Sequence, residues 1–388
     1  MILFLHNRYR STGGEERTVA DLRWLVREQL GEDAELLERD SAALGRGRAA
    51  TGLLRGGLQP RDVARAVRLG GARIVHAHNL HPSFGWRALA AARAAGARVV
   101  LHLHQYRLVC AIGVCFTQGA ECTRCHGANT LPGVRLGCRG NVPEALAYGA
   151  ALSLWQRRLV AQADAVVVPS AFAGERLREL GAPLPWERVH VLAPPVRALA
   201  RAAEPAWAES LRSEPPGAGA EPPRPYALMV GRLAPEKGVE VAIEACRRAE
   251  LELVIAGDGP ERAALERLAR DGRVRFLGRV QDAELARLRA GARIALVPSR
   301  SAETFGIAAA EAMAMGLPVA GSRVGALPEL LAEPALAPPG DAGGLAAAIG
   351  RVLADPTAPR RARERARELC APEVVARRLA AIYTSVGS

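Results

Sequence analysis

Short apolar segments alternate with amphipathic segments along the whole chain, and this alternation predicts its secondary structure. Runs of Val, Ile, Leu and Ala recur in both halves, as in Ile2–Leu5, Ala165–Val168 and Ile294–Val297. Between them, apolar residues repeat every three or four positions, as in Glu16–Leu30, which is typical of a helix that buries one face. Apolar strands that alternate with helices predict α/β architecture with parallel sheets covered on both faces.

The series of strands and helices is interrupted once, by a segment rich in proline and glycine. Residues 194–225 contain eight prolines, which predicts a linker between two doubly wound domains, residues 1–193 and 226–371. Residues 372–388 are expected to form a last helix that returns to the first domain. Ligands of doubly wound sheets bind beyond the carboxyl ends of the strands, so we expect the site in the cleft between two facing domains.

Composition narrows the class of protein. Apolar residues make up 49% and charged residues 24% of the 388 residues, a balance typical of a globular rather than a disordered chain. No apolar run has the length of a membrane span, and Met1–His6 is predicted to be a strand rather than a signal peptide. We therefore expect a soluble, cytoplasmic protein.

The net charge of +12 is unevenly distributed. Residues 1–200 hold 26 arginines against 16 acidic residues, which gives +10, and the remaining +2 lies in the second half. A basic half favours phosphate, an anionic membrane surface or an acidic substrate as partner. A solvated arginine-rich surface is the alternative.

Lysine is almost absent, because only one of the 52 basic residues is a lysine, Lys237. It lies in the segment Gly231-Arg232-Leu233-Ala234-Pro235-Glu236-Lys237-Gly238, directly after a predicted strand. The guanidinium of Arg232 and the ammonium of Lys237 are expected to converge across this turn on one phosphate group.

A second motif leads from a strand into the helix that carries Glu311. Glu303 precedes this helix and is expected to accept hydrogen bonds from sugar hydroxyls, and Glu311 could bind both hydroxyls of a ribose. The free backbone N–H groups at the start of the helix would face a phosphate; they belong to Phe305, Gly306 and Ile307. Alternatively, Glu303 complements the helix dipole and Glu311 forms an ion pair on the helix surface.

Gly13 and Gly14 follow the first strand and precede a helix. Glycine lets the backbone approach an anion, and a helix N-terminus offers free N–H groups. An ordinary turn is the alternative, and the spacing differs from the G-x-G-x-x-G of dinucleotide-binding folds.

Together these motifs resemble those of the family 4 retaining glycosyltransferases. The resemblance is carried by Gly231-Arg232-Leu233, Glu236-Lys237-Gly238, Gly257-Asp258-Gly259-Pro260, Glu303-x7-Glu311, Ala312-Met313-Ala314-x-Gly316-x-Pro318-Val319, Gly13-Gly14 and His104-Gln105-Tyr106-Arg107. It implies the GT-B fold, with two facing Rossmann-like domains, the first for the acceptor and the second for the nucleotide sugar. The chain departs from the commonest family pattern at Thr304, usually glycine, and at Ala326, where a second glycine often follows Gly325.

The resemblance also implies roles for individual residues. Arg232 and Lys237 would hold the donor diphosphate and neutralise its charge as it departs. Glu303 would bind the transferred sugar, and Glu311 the ribose. The Gly14 backbone would contact the diphosphate, and the Arg279–Val280 backbone would contact the nucleobase. The His104 side chain would lie beside the sugar at the reaction centre.

The function implied by the resemblance is transfer of a hexose-type sugar, with retention, from a UDP- or GDP-sugar to a glycan, a lipid-linked acceptor or a small molecule. Charge grows on the leaving diphosphate in the transition state, so preorganised cations and helix N–H groups would stabilise it without a catalytic metal or other cofactor. Such acceptors often take part in polysaccharide biosynthesis. The sequence does not identify the sugar, the nucleobase or the acceptor.

Two other classes of function are compatible with parts of the sequence. A nucleotide-sugar epimerase of the same architecture would share the donor site but need no acceptor. A basic nucleic-acid-binding protein would explain the charge, yet aromatic residues make up only 4% of the chain and no recognition module is apparent. We therefore expect no nucleic acid among the partners.

A cysteine-rich insertion is predicted at residues 107–140. Five of the seven cysteines lie in it, and four have the spacing Cys-x11-Cys-x2-Cys-x12-Cys that is close to a zinc ribbon or knuckle: Cys110, Cys122, Cys125 and Cys138. This predicts a structural zinc site, with Cys115 as an additional thiol and His126 as a substitute ligand. Disulfides and free thiols are the alternatives, and disulfides are less favoured in a cytosolic protein.

Histidines concentrate at the ends of two predicted strands. Alternation along a strand places His76 with His78, and His102 with His104, on one face each. Polar lining of the cleft is the favoured interpretation, with His104 nearest the chemistry. A catalytic metal is the alternative, although no carboxylate accompanies these histidines.

The segment Arg46–Arg73 interleaves arginines with Leu and Val residues. Such a pattern is typical of a helix at the surface of an anionic membrane, which predicts peripheral attachment to the inner membrane face. The alternative is a helix that packs its apolar residues on the sheet while its arginines face water.

Overall fold

The structure, a computed structural model, describes residues 1–9, 13–200, 225–270 and 272–387. The chain divides into two compact units. The first comprises Met1–Thr117, Glu121–Pro195 and Pro372–Ser388, and the second comprises Gln118–Ala120 and Val196–Ala371. Most of the linker expected at 194–225 lies outside the described residues.

A six-stranded parallel sheet forms the centre of the first unit, with the strand order β2-β1-β3-β4-β7-β8. Its strands are β1 (Ile2–Arg8), β2 (Ala34–Asp40), β3 (Ile74–Ala77), β4 (Arg98–His102), β7 (Ala165–Val168) and β8 (Val189–Val191). Strands β5 (Phe116–Thr117) and β6 (Ala120–Glu121) form a separate two-stranded sheet.

Helices flank this sheet because each connection between parallel strands must cross over. They are α1 (Gly14–Leu30), α2 (Arg46–Arg55), α3 (Pro60–Gly70), α4 (Gly85–Ala94), α5 (Leu131–Arg135), α6 (Val142–Val160), α7 (Ala171–Glu179) and the C-terminal α15 (Pro372–Gly387). Helices α1 and α15 bury Leu22 and Leu379 against Phe4 and Val100 of the sheet, and all four side chains are almost completely inaccessible to solvent. This layer positions Tyr383 of α15 beside strand β3.

The second unit has the same architecture. Its parallel sheet has the strand order β11-β10-β9-β12-β13-β14, formed by β9 (Tyr226–Val230), β10 (Glu252–Ala256), β11 (Val274–Gly278), β12 (Ile294–Val297), β13 (Val319–Ser322) and β14 (Leu336–Ala337). Its helices are α8 (Val239–Arg248), α9 (Arg262–Leu268), α10 (Asp282–Gly291), α11 (Ile307–Ala314), α12 (Leu327–Leu330), α13 (Ala342–Ala354) and α14 (Ala358–Cys370). Small residues such as Ala242 and Ala348 let α8 and α13 pack closely on Ile255 in the core.

The α/β fold class predicted from the alternation is confirmed, since both sheets are parallel and flanked by helices. Strand β2 was not predicted, because four of its seven residues are charged. It lies at the edge of the sheet and pairs only with β1, so its side chains need not be apolar on both faces. Within the described residues, every helix is too short or too polar to cross a membrane.

Candidate active site

The segment with the only lysine follows strand β9 as a short 3-10 turn, Pro235–Lys237. The Arg232 side chain, 52% exposed, donates a hydrogen bond to Glu236. Gly238 ends the turn with a φ of +63°, and a Cβ atom there would lie 2.1 Å from the Pro298 carbonyl oxygen. Only glycine therefore allows this turn to approach the segment that follows β12.

Lys237 and Glu303 lie 66 positions apart in sequence and form an ion pair. The Lys237 Nζ atom is 2.5 Å from Glu303 Oε1, and Ser299 Oγ donates to the same oxygen at 2.6 Å. Burial opposes ionisation of Glu303, but Lys237 and the two hydrogen bonds outweigh it, and the pKa of Glu303 falls below its usual value. The sequence predicted that Arg232 and Lys237 converge on one phosphate group. In the structure each side chain contacts a different carboxylate, Glu236 for Arg232 and Glu303 for Lys237.

The backbone of Glu303 is held by the turn before α12. Ala326 donates its N–H to the Glu303 carbonyl oxygen at 2.8 Å. Gly325 has a φ of +62°, and a Cβ atom there would lie 2.3 Å from the Glu303 nitrogen. Gly325, the first glycine of this family motif, is therefore required for the close approach to the Glu303 backbone. Ala326, where a second glycine is common in the family, fits into the turn without such a requirement.

Glu311 lies on α11 and is paired with a residue that the sequence analysis did not single out, Arg289 of α10. Arg289 Nη2 donates to Glu311 Oε2, and the side chains are only 7% and 11% exposed. The Arg289 Nε atom is buried and has no hydrogen-bond partner in the described part of the chain. The pair is therefore in the interior, which excludes the alternative of an ion pair on the helix surface.

The remaining residues predicted to bind the donor are Phe305, Gly306 and Ile307, which lie at the start of α11, and Val280. Gly306 is the N-cap with a φ of +101°, Ile307 is the first helical residue, and the Phe305 side chain is buried. Val280 is half-buried in the segment between β11 and α10. The N–H groups at the start of this helix have no partner within the helix and are available to an anion.

In the first unit, Gly13 and Gly14 mark the start of α1, as the sequence predicts. Glu16 accepts a hydrogen bond from the Gly13 N–H at 2.7 Å and so caps the helix. The neighbouring Glu15 is buried, and burial raises its pKa to about 7 against the lowering effects of His6, of the Tyr9 hydroxyl and of Arg107. No pattern in the sequence indicates that this carboxyl is buried, apart from its place after the glycine pair.

Four histidines of β3, of β4 and of the residues after them form two hydrogen-bonded pairs. His76 Nε2 lies 3.2 Å from His102 Nδ1, and His78 Nδ1 lies 2.7 Å from His104 Nε2. His76 stacks on His78 and His102 on His104, with ring centroids 4.6 and 4.2 Å apart. The prediction that each strand pair shares one face is confirmed, but the expected lining of a cleft is wrong for His76, His78 and His102, which are at most 3% exposed in the interior of this unit.

The same histidines bear on the alternative of a catalytic metal. Ligand atoms of His76, His78 and His102 lie within 4.8 Å of one another. However, both ring nitrogens of His76 are already engaged, Nδ1 with the Tyr383 hydroxyl at 2.7 Å and Nε2 with His102 Nδ1 at 3.2 Å. A metal would have to replace these hydrogen bonds, so the arrangement does not favour a metal centre.

The cysteine-rich insertion surrounds a small, mainly apolar pocket lined by Cys110, Cys115, Cys122, Cys125 and Cys138. All are free thiols in the structure. A hydrogen bond from Cys115, and backbone N–H groups of Ile112, Cys115 and Gly113, lower the pKa of Cys110 to about 6 against the effect of burial. Tetrahedral zinc would need sulfur atoms about 3.8 Å apart, whereas no three of these sulfurs lie within 4.8 Å of one another in the described residues.

The arginine-rich segment forms α2 and α3. The apolar residues Leu53, Val63 and Val67 are buried, whereas Leu54 and Leu69 are 45% and 77% exposed. Helix α3 packs against α4 through its apolar face. The structure therefore favours the alternative in which most apolar residues pack inward and the arginines face water.

Comparison with known proteins agrees with this architecture. The sequence model of the glycosyl transferase 4-like domain matches residues 13–195, and that of the glycosyl transferases group 1 matches residues 224–355. The structure is similar to sucrose-phosphate synthase from Thermosynechococcus elongatus, with a TM-score of 0.68 and 21% identity over 99% of this chain and 98% of that chain. It is also similar to Anabaena HepE in complex with UDP, with a TM-score of 0.63 and 19% identity over 99% of both chains.

Among curated proteins, alpha-D-kanosaminyltransferase from Streptomyces kanamyceticus is 33% identical over 253 residues, which are 60% of this chain and 63% of that protein. Glycogen synthase from Mycobacterium tuberculosis is 40% identical over 153 residues, 36% of this chain and 37% of that protein. The chain spans less than two thirds of the length of these relatives. The two family matches together cover most of both units, and the chain belongs to the group 1, or family 4, glycosyltransferases of GT-B fold.

Proposed function

We propose that the protein transfers a hexose-type sugar, with retention, from a UDP- or GDP-sugar to a glycan, lipid-linked or small-molecule acceptor. The observation that carries the proposal is the Lys237–Glu303 ion pair. It joins two motifs that follow the adjacent strands β9 and β12, at the carboxyl edge of the sheet where ligands of such folds bind. The second unit would thus bind the donor, and the first unit the acceptor.

The chemistry follows from where charge develops. The bond between the sugar C1 and the diphosphate oxygen breaks, and its electron pair stays on the diphosphate. Arg232, Lys237 and the free N–H groups at the start of α11 would stabilise that charge. The acceptor oxygen attacks C1 on the face that the diphosphate leaves, and its proton passes to the leaving phosphate oxygen, so no catalytic metal is required.

Two of the proposed sugar contacts differ in their charge state. Glu303 is held ionised by Lys237, so it would accept hydrogen bonds from sugar hydroxyls. His104 is kept neutral, because burial lowers its pKa well below the usual value. A neutral imidazole beside the sugar would contribute a hydrogen bond without opposing the positive charge that grows on the ring in the transition state.

Incubation with nucleotide sugars tests the proposed function. Thermal shift with UDP, GDP and ADP first identifies the nucleotide, since binding to the folded state raises its stability. Mass spectrometry of a reaction with the matching donor should then show slow release of free sugar or transfer to an added acceptor. An epimerised nucleotide sugar as the only product would favour the epimerase instead.

We further propose that the cysteine pocket closes around one structural zinc ion. Backbone N–H groups point at two of its sulfurs, those of Ile112, Gly113 and Cys115 at Cys110 and those of Ala111 and Gly133 at Cys125. At Cys110 such donors favour the thiolate, the form that binds zinc, whereas at Cys125 burial outweighs them and raises the pKa. The sulfurs would have to move closer together than they are in the structure.

Metal analysis checks this site. Purified protein should contain about one equivalent of zinc, and Cys122→Ser should release it and make residues 110–138 sensitive to protease. Cys246→Ala is the matched control, because Cys246 is buried in the core of the second unit and should leave the metal in place. Metal-free wild-type protein with a protease-resistant insertion would contradict the proposal.

We also propose peripheral contact with an anionic membrane, although fewer residues of the arginine-rich segment can face it than the sequence suggested. The exposed arginines of α2 and α3 remain, including Arg55, Arg61 and Arg65, together with Leu54 and Leu69. Each arginine near such a surface contributes about 1 kcal/mol. Co-sedimentation should show binding to anionic but not neutral vesicles, lost in the Arg55/Arg61/Arg65→Ser variant; indifference to both vesicle types would favour an acceptor away from the membrane.

A further inference from the structure

We propose that Arg107 binds an anionic group of the acceptor, a carboxylate or a phosphate. The inference rests on the proposed function, in which the first unit binds the acceptor, and it adds the chemical class of that acceptor. Arg107 belongs to the motif after β4 that resembles the family, but the resemblance implies no role for its side chain.

Arg107 lies at the carboxyl edge of the sheet of the first unit, where ligands of parallel sheets bind. It follows β4, and residues that follow two neighbouring strands surround it: Tyr9 and Glu15 after β1, and His81 after β3. The guanidinium carbon lies 4.7 Å from the centroid of the Tyr9 ring. The charge of Arg107 also acts on Glu15 and His81, whose pKa values it lowers. Three adjacent strands thus bring their following residues around one guanidinium group.

The Arg107 side chain is held along its length. Its Cγ atom passes over Gly113, where a Cβ atom would lie only 2.5 Å away. Its Nε atom donates to Gln105 Oε1 at 3.0 Å, and the Tyr148 hydroxyl donates to its carbonyl oxygen. The two terminal nitrogens, Nη1 and Nη2, make no hydrogen bond to the part of the chain that the structure describes. They form the fork that binds a carboxylate or a phosphate through two parallel hydrogen bonds.

The positive charge of Arg107 has no carboxylate within ion-pair distance among the described residues. Removal of a guanidinium from water costs free energy, which an ion pair usually offsets. Three other arginines with side chains at most 13% exposed each contact a glutamate: Arg139, Arg176 and Arg289. Arg107 is half-buried and lacks such a partner. An anion on the acceptor would supply it.

The titratable groups around Arg107 neutralise only part of its charge. Three are neutral at pH 7, because burial shifts their pKa values away from ionisation: Tyr9, Tyr148 and His81. The Cys110 thiol contributes least among the acidic groups that raise the Arg107 pKa. Glu15 is therefore the main counter-charge, and with a pKa of about 7 it is only partly ionised at neutral pH.

Glu15 is joined to Arg107 through Gln105 rather than directly. Gln105 Nε2 donates to Glu15 Oε2 at 3.3 Å, and the Tyr9 hydroxyl donates to the same oxygen at 2.9 Å. The titratable groups that face Glu15 are His6, Tyr9, Glu16 and Arg107. This network fixes the guanidinium without occupying its terminal nitrogens, so the fork remains open to a ligand.

Titration of the whole protein with small sugars tests the site directly. Glucuronate carries a carboxylate, glucose 6-phosphate carries a phosphate, and glucose carries neither. Calorimetry at about pH 8 and about 0.15 M NaCl should show both anions binding at least about tenfold more tightly than glucose, since a hydrogen bond to a charged group is worth about 1.5–3 kcal/mol. The tighter of the two anions identifies the group that the acceptor carries.

Arg107→Met keeps an unbranched side chain without the charge and should weaken binding of the tighter anion on the order of tenfold. Arg107→Lys keeps the charge and loses the fork, so we expect an intermediate affinity. The proposed donor site can also bind a phosphate, but it is the same in all these proteins, so the difference between wild type and variant reports on Arg107. Circular dichroism confirms folding.

Glu15→Gln tests the counter-charge. The glutamine oxygen can still accept from Tyr9 and Gln105, so the network is kept. At about pH 8 the wild-type carboxyl is mostly ionised and repels an incoming anion, because its pKa is about 7. Its replacement should therefore tighten glucuronate binding about threefold. Weaker binding in the folded variant would contradict an anion beside Arg107.

Arg158→Met is the matched control. Arg158 also stacks on aromatic rings, 5.6 Å from the Trp86 centroid and 5.1 Å from that of Trp155, but it is exposed to water. Its loss should leave the binding of both anions unchanged. The proposal is overturned if wild-type protein binds glucose as tightly as the anions. It is also overturned if folded Arg107→Met and Arg107→Lys bind both anions like the wild type.

Failure of the proposed function has a different signature. Anion binding is measured without any donor, so a wild-type protein that transfers no sugar but binds anions through Arg107 would contradict sugar transfer and leave the anion site standing. An active enzyme whose anion affinity does not depend on Arg107 would overturn the anion site alone.

Discussion

Lys237→Ala and Arg232→Ala are each expected to lower the rate of sugar transfer on the order of a hundredfold while the protein stays folded. Both side chains carry positive charge at the carboxyl edge of the second sheet, where the leaving diphosphate is proposed to bind. Loss of one preorganised charge costs roughly 3 kcal/mol of transition-state stabilisation, which corresponds to that fall in rate. Initial rates with the matching nucleotide sugar, at saturating acceptor, measure the effect.

The control is Arg267→Ala, which removes an exposed arginine of α9 and should leave the rate unchanged. Circular dichroism and the melting temperature confirm folding of all three variants. Near-normal turnover in both folded site variants would contradict the assignment of the donor site.

The absence of any other lysine gives a direct measurement of the same site. An amine-acetylating reagent can modify only the Lys237 ammonium and the chain's N-terminal amine. The Lys237 side chain is 30% exposed, so the reagent reaches it, and a bound nucleoside diphosphate should slow its modification. Peptide mass spectrometry separates the two amines, and the N-terminal amine serves as the internal reference.

Glu303 complicates the interpretation of Lys237→Ala, because removal of the ammonium leaves a buried carboxylate without its cation. The pKa of Glu303 would rise in that variant, since Lys237 is the charge that lowers it. Glu303→Gln tests the contribution of the Glu303 carboxylate separately from that of Lys237. It keeps Lys237 and removes a charged acceptor, and we expect it to reduce transfer more than nucleoside diphosphate affinity.

The sequence predicted the fold and the motif positions because both depend on local patterns. Apolar strands and amphipathic helices are visible in the period of the residues, and the carboxyl ends of parallel strands share one edge. Side-chain partners do not follow from such patterns. Lys237 and Glu303 meet only because β9 and β12 are neighbours, which the chain order of the strands does not show.

Other features depend on how elements pack against one another. Alternation placed His76 and His78 on one face, but their contact with His102 depends on the register that pairs His76 with Val100. The buried positions of Glu15 and Arg289 likewise depend on helix rotation, because a charged residue in a helix is usually on the solvent side. The spacing of the apolar residues predicts that a segment is helical, and the elements packed against that helix determine which of its residues are buried.

The buried Arg289–Glu311 pair leads to the last prediction, in which stability and nucleotide binding are separated. Arg289→Met or Glu311→Leu alone should lower the melting temperature by about 6–12 °C. Removal of one partner leaves the other charge buried and unpaired, which costs roughly 3 kcal/mol or more, and in a domain of this size each kcal/mol corresponds to about 2–4 °C. Differential scanning calorimetry measures the shift.

The double variant Arg289→Met/Glu311→Leu should recover most of the lost stability, because two apolar side chains replace two buried charges. It should nevertheless bind the matching nucleoside diphosphate about ten- to a hundredfold more weakly, since the proposed acceptor for the ribose hydroxyls is gone and a hydrogen bond to a charged group contributes about 1.5–3 kcal/mol. Isothermal titration of the double variant therefore reports on the ribose contact without the confounding loss of fold.

Arg360→Met is the control for loss of an ion pair as such. Arg360 pairs with Glu364 on α14, and the two side chains are 71% and 55% exposed, so water screens the pair and no measurable change in melting temperature is expected. Unchanged stability in both single variants would contradict a structural role for Arg289. A double variant that is stable and binds the nucleoside diphosphate as tightly as the wild type would show that Glu311 serves the core alone, and the ribose contact would then have to come from another residue of the second unit.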